Sequence, residues 1–238
     1  MKLEWKIEPK DVEVVRDIIA AHKENSIVVD RFERNLQPIK PPVERDEFWV
    51  RSICCLATSQ QPSGEDSRVA RFVNKTPFPL TLDVCRNCEH LRELAKSEIS
   101  SAGLRFNERI AGFVVENFAY LEDGGWQETM RVLDSLRETQ TAECERVTAE
   151  FIDTHFKGFG PKQSRNLLQW LGLTQYEIPL DSRIMKWLNK NGFPVHLSAA
   201  ALGDRNYYNF ISDGVQELCR QSGVKPCVLD AAVFVSFG

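Results

Sequence analysis

The chain has 238 residues and a formal net charge of −4, a length that suits one domain or two intimately packed lobes around a proper core. The mildly acidic balance counts against a protein that holds nucleic acid by bulk electrostatics, though not against one that grips phosphates with backbone amides and a local basic patch. Seven cysteines, odd in number and scattered, give no disulfide framework and read as buried thiols of a reducing compartment.

Apolar residues recur with helical period along most of the chain. Residues 1–9 mix Lys2, Glu4, Lys6 and Glu8 with apolar residues, which is no signal peptide, and no later run approaches bilayer length. The expectation is a soluble cytoplasmic protein with no membrane contact. Val12, Val15, Ile18 and Ile19 predict a first amphipathic helix, followed by a looser stretch over 26–42 that Pro38, Pro41 and Pro42 mark as a loop. Within it, Ser26–Val29 is a short strand candidate. An apolar helix is predicted from Glu44 to about Gln61, broken by Pro62-Ser63-Gly64, with a short helix over Glu65–Val73. Further helices are expected over Val84–Ser97, Leu104–Leu121, Trp126–Arg137, Thr141–His155, Asp181–Asn191 and Asp204–Ser222, and after Pro226. There is no internal repeat, and the fold class is all-α.

The segment 155–171 is the most informative. One helix ends in Gly158-Phe159-Gly160 and a second begins at Pro161. Glycine tolerates positive φ and the close approach of another backbone. Proline at the first helical position removes an N–H that would be unpaired anyway. The amides opening the second helix are then free to bind a phosphate. Lys162 stands there, in the first turn. Nineteen positions on, Asp181 follows an extended apolar run and opens a helix whose buried face is Ile184, Trp187 and Leu188. An aspartate there is a good N-cap, and the intervening helix and loop let the two side chains meet at one cleft.

Gly158, Gly160, Lys162 and Asp181 resemble the pattern of the HhH-GPD superfamily of DNA glycosylases: a Gly-x-Gly hairpin, a lysine two residues on, and an aspartate 18 or 19 residues later. Leu56-Ala-Thr-Ser-Gln-Gln61 is similar to the segment that fills the hole left by the extruded base, which nominates Gln60 and Gln61. Pro226–Val235 is similar to the last helix of the shorter 8-oxoguanine DNA glycosylases, where an aromatic residue near the position of Phe234 stacks on the flipped base. Two departures stand out. Ser182-Arg183 follows the aspartate where many members have a histidine nearby, and the four-cysteine iron–sulfur loop of endonuclease III is absent.

The resemblance implies two helical lobes with the hairpin at the cleft. One covers about 44–172, ending in the hairpin segment 156–171; the other joins 1–43 to 173–238. It also implies a monomeric, nucleoid-associated glycosylase and abasic-site lyase acting on double-stranded DNA, most closely on 8-oxoguanine. In it Lys162 is the nucleophile, Asp181 the acid–base and charge-stabilising group, and Gly158, Gly160, Ser164 and Arg183 contact DNA. It implies no required cofactor, and an alkali ion held by carbonyls of the hairpin. Six basic residues against two acidic ones over 155–190 suit that role. Two alternatives stay open: a glycosylase of the same fold for another modified base, including one of foreign DNA, and a silent DNA-binding module.

The remaining constellations are bland. Cys85-x-x-Cys88 with His90 is half a zinc site without its second half. His155 suits a helix C-terminus, and Trp49, Trp126, Trp170 and Trp187 fall at apolar helical positions.

Overall fold

The computed structural model describes residues 4–62, 64 and 66–237. Among these the protein is all α-helical. The helices are α1 (Pro9–His22), α2 (Ser26–Leu36), α3 (Arg45–Ala57), α4 (Arg68–Val73), α5 (Leu82–Arg86), α6 (Leu91–Ser101), α7 (Asn107–Tyr120), α8 (Trp126–Glu138), α9 (Ala142–His155), α10 (Pro161–Trp170), α11 (Ser182–Lys190), α12 (Arg205–Ser222) and α13 (Pro226–Ser236). None of them is long and apolar enough to cross a membrane.

Buried apolar side chains form two clusters. Phe48, Trp49, Leu56, Ile99, Val114, Leu133, Ile152, Phe156 and Leu167 belong to the first, built from α3 through α10. Val15, Val28, Ile184, Trp187, Tyr208, Val215, Leu229 and Val233 belong to the second, built from α1, α2 and α11 through α13. Helix α13 is apolar almost all round and is accordingly buried, its side chains from Pro226 to Val233 lying inside. Gly214 on α12 admits the indole of Trp5, which a Cβ there would strike at 2.7 Å.

Local sequence misleads at several places. Residues 26–36 are helix α2, where a loop with a strand candidate was expected. Asn25 caps it, its side chain accepting from the amide of Ile27 at 2.9 Å, and Val28 and Asn35 bury one face. The predicted helix over 84–97 is two helices, α5 and α6, separated at 87–90. Helix α3 stops at Ala57 rather than Gln61, because Gln60 takes a left-handed φ of 54°. The short helix expected over Glu65–Val73 begins at Arg68 under a Ser67 cap; Glu65 lies outside the described residues, as do Ser63 and residues 1–3. Helices α7 and α8 join through a π-turn, Leu121–Gly125.

The segment 173–181 connects the two clusters without helix or sheet, so its backbone groups need other partners. Two buried side chains supply them. Both carboxylate oxygens of Glu145 accept amides, from Gln175 at 2.7 Å and from Tyr176 and Glu177 at 2.8 Å. The Tyr208 hydroxyl accepts from the amide of Leu180 at 2.7 Å and donates to the carbonyl of Ile178 at 2.8 Å. The fully buried Glu177 carboxylate meets Arg165 at 2.6 Å and Arg146 at 2.8 Å. The chain thus enters α11 on a fixed path, and Asp181 is the first residue past these clamps.

Candidate active site

An open cleft of about 910 Å³ runs between the turn after α3, the hairpin between α9 and α10, and the start of α11. Its walls include Gln60, Gln61, Arg109, Phe113, Gly158, Gly160, Lys162, Gln163, Asp181, Arg183 and Phe237.

At the hairpin the two glycines have different duties. Gly158 has a φ of +82°, and a Cβ there would collide with Phe113 and lie 2.6 Å from Leu56 Cδ2; no other residue fits. Gly160 is extended, with a φ of −125°, and a Cβ would meet nothing within 4 Å. Its openness leaves room for another backbone rather than for a turn. Asn117, buried on α7, brackets Lys157: its Oδ1 accepts from the amide at 2.6 Å and its Nδ2 donates to the carbonyl at 3.0 Å. Ser164 donates to the carbonyls of Gly160 and Pro161, both at 3.1 Å, and Arg165 donates to that of Pro161 at 3.1 Å. Among the described residues no group of three His, Cys, Asp or Glu is placed to hold a metal.

Lys162 follows Pro161 in the first turn of α10, where the macrodipole disfavours an ammonium. Burial lowers its pKa below the ordinary lysine value; Asp181 opposes this most strongly, then Cys55 and Asp230, while Arg183 adds to the lowering. Asp181 caps α11, its Oδ1 accepting from the amides of Arg183 at 2.8 Å and Ile184 at 3.0 Å. Its Oδ2 stands 3.3 Å from the Arg183 guanidinium. The fold therefore brings Lys162 and Asp181 to one cleft, each fixed by the opening turn of a helix.

The other expected site residues divide. Gln60 is exposed at the cleft mouth with its left-handed backbone. Gln61 is engaged internally, donating to the carbonyl of Ala57 and accepting from the amide of Arg105 at 3.0 Å. Ser164 is fully buried, its hydroxyl spent inside α10, and it does not reach the cleft; the contact expected of it with DNA has no group to make it. Phe234 is not on the cleft wall but under the Arg183 guanidinium, 4.3 Å from its ring centroid, whereas Phe237 lines the cleft. Arg165, counted in the basic segment, is buried against Glu177 and faces no solvent. His155 bonds the carbonyl of Phe151 at 2.9 Å, as its place at the end of α9 suggests.

Several residues at the cleft escaped sequence reasoning. Arg109 and Phe113 come from α7, and Phe106 ahead of it has a left-handed φ of 60° with the guanidiniums of Arg105 and Arg109 over its ring at 4.9 and 4.3 Å. Only an unusual dipeptide of arginine and aromatic at a helix start hinted at them. Exposed Arg51, Arg105, Arg109, Lys157, Lys186 and Lys190 form no ion pair among the described residues. Of these, Arg109 and Lys186 line the cleft, and unpaired cations there favour an anionic ligand.

Two helical bundles around a cleft, with a helix-hairpin-helix at its edge, are a fold this chain shares with solved DNA glycosylase structures. The particular structures it resembles are 8-oxoguanine enzymes. An 8-oxoguanine glycosylase/lyase of Methanocaldococcus jannaschii, solved in complex with a 15mer DNA containing 8-oxoguanine, superposes with a TM-score of 0.68 at 16% identity, covering 93% of this chain and 95% of that one. The 8-oxoguanine DNA glycosylase of Thermotoga maritima gives 0.66 at 16% identity over 94% and 95%. A second structure of the Methanocaldococcus jannaschii enzyme gives 0.63 at 18% identity over 95% and 94%. No protein-family model matches the sequence, and no curated protein matches it.

Proposed function

We propose that this chain is a DNA glycosylase with abasic-site lyase activity, excising a damaged purine of the 8-oxoguanine type from duplex DNA. The observation that carries the reading is the convergence of Lys162 and Asp181, each at the opening of a helix, on one cleft rimmed by Gln60 and the hairpin. The unpaired Arg109 and Lys186 in its wall suit a phosphate backbone, and the solved structures of the same fold are 8-oxoguanine enzymes. The reaction needs no redox or organic cofactor.

The target base is taken out of the stack, at a cost of about a few kcal/mol, and Gln60 stands at the cleft mouth to occupy the gap. Open Gly160 and the first amides of α10 receive a flanking phosphate. Breaking the glycosidic bond sends its electron pair to the base and builds positive charge on the sugar, which the Asp181 carboxylate stabilises. Lys162, held below the ordinary lysine range by burial, attacks C1′ as the neutral amine and passes its proton toward Asp181. The C1′–O4′ bond of the resulting aminal then breaks, its electron pair and a proton going to O4′, which opens the sugar to a protonated Schiff base; this acidifies the C2′ proton, and its removal expels the 3′ phosphate by β-elimination.

The test is borohydride trapping on a duplex carrying 8-oxoguanine, with the native protein and Lys162→Gln. An adduct present in the first and absent in the second supports the full reading. An adduct on an abasic site alone keeps the lysine chemistry and moves the substrate to another base.

A further inference from the structure

Gln163, next to Lys162 and 8% exposed, touches two elements with one amide. Its Nε2 donates to the carbonyl of Cys55 at 2.6 Å and to the Ser59 hydroxyl at 2.7 Å, with Thr58 Oγ1 at 3.2 Å. An NH2 group carries two hydrogens, so these acceptors exhaust it. Turning the amide over would set its oxygen against the Cys55 carbonyl, which cannot donate. The orientation is therefore fixed, and Oε1 faces the cleft side, where it accepts from Lys162 Nζ at 3.2 Å and lies 3.4 Å from Asn166 Nδ2.

That bond is the one hydrogen bond Nζ makes among the described residues. The charged and titratable groups around it act through space: Asp181 and Arg183 from the start of α11, Asp230 from α13 and Cys55 from α3. A lysine stem has four rotatable carbons and no intrinsic preference for one attack geometry. Something must hold the amine still, and Ser59 stands in the turn that leads directly to Gln60.

We propose that Gln163 is the positioning residue of Lys162, and that its amide ties the place of the amine to the turn 58–61. Seating that turn against DNA then sets the nucleophile through the chain Ser59, Gln163, Lys162. This deepens the lyase reading given above and rests on it.

The experiment compares native protein, Gln163→Leu, Ser59→Ala and the double variant, with Lys162→Gln as control. Two quantities are read: affinity for a duplex carrying a tetrahydrofuran abasic analogue, which forms no imine, and the single-turnover rate of borohydride-trapped adduct at a true abasic site. Gln163→Leu is expected to slow adduct formation by about 10²-fold, the usual consequence of a nucleophile misplaced by an ångström, while analogue affinity is unchanged. Ser59→Ala, milder and safe for folding, slows it less, and the double variant is no slower than Gln163→Leu. An unchanged rate in Gln163→Leu, rate and affinity falling together, or losses that multiply in the double variant would each overturn the proposal while leaving Lys162 as nucleophile. No adduct with native protein would instead remove the lyase reading, and this inference with it.

Discussion

Asn117 and Lys157 are joined in both directions, the side-chain amide of one to the backbone N–H and C=O of the other, at 2.6 and 3.0 Å. The residues are forty positions apart, and the pairing gives the last stretch before the hairpin the hydrogen bonds that a neighbouring strand supplies elsewhere. Losing it leaves a buried donor and acceptor unpaired, a cost of about 1–3 kcal/mol. Asn117→Ala is expected to lower the unfolding free energy by that much, read as a lower urea midpoint with an unchanged slope, and to weaken duplex binding as the hairpin loosens. An unaltered midpoint would show that the clamp contributes nothing.

The two hairpin glycines should separate stability from binding. At Gly158 an alanine combines a left-handed backbone with a collision against Phe113 and Leu56, together about 2–5 kcal/mol. At Gly160 an alanine meets nothing, so Gly160→Ala unfolds at the native urea concentration. It nevertheless binds duplex more weakly, because the methyl stands where a DNA backbone approaches. Equal affinity for native protein and Gly160→Ala would place the DNA elsewhere.

Asp181→Asn preserves the N-cap, since asparagine caps as well as aspartate, and removes only the charge. Base excision is expected to fall by about 10²–10³-fold, as when a group that stabilises transition-state charge is lost. Trapping at a preformed abasic site persists. Its pH midpoint moves down, because the Asp181 charge is the strongest influence holding the proton on Lys162. A midpoint that stays in place or rises would contradict the electrostatic coupling.

Glu145 should make the protein less stable as the pH rises. Burial raises its pKa from 4.5 to about 7, against the pull of three backbone amides. The native state therefore binds the proton more tightly than the unfolded chain, and stability rooted in this group is complete below the unfolded value and lost as the pH climbs through about 7. The shift corresponds to a change on the order of 3 kcal/mol. Urea unfolding between pH 4.5 and 8 should show native protein losing stability relative to Glu145→Gln, which has no such titration. A constant difference between the two would refute it.

What could be read from the sequence was local. The Gly-x-Gly-Pro succession announces the hairpin, because backbone freedom followed by a fixed φ acts over a few residues. Asp181 announces a helix start, because a cap and the amphipathic face behind it lie within two turns. Lys162 is legible through its spacing from both. The same local view stumbled where partners are distant: α2 looked like a loop until Asn35 on it was seen donating to the carbonyls of Gln169 and Thr174. Ser164 looked like a contact residue but points inward, and Gln60 and Gln61 were indistinguishable until one proved exposed and the other tied to Arg105. Tertiary structure alone decided that Glu145 and Tyr208 hold the segment before Asp181, that Asn117 holds the one before Gly158, and that Gln163 spans more than a hundred positions to reach Cys55. The physical reason is common to all of them. A buried polar side chain is placed by whichever unpaired group the folded chain brings beside it, and no periodicity in the sequence records that meeting.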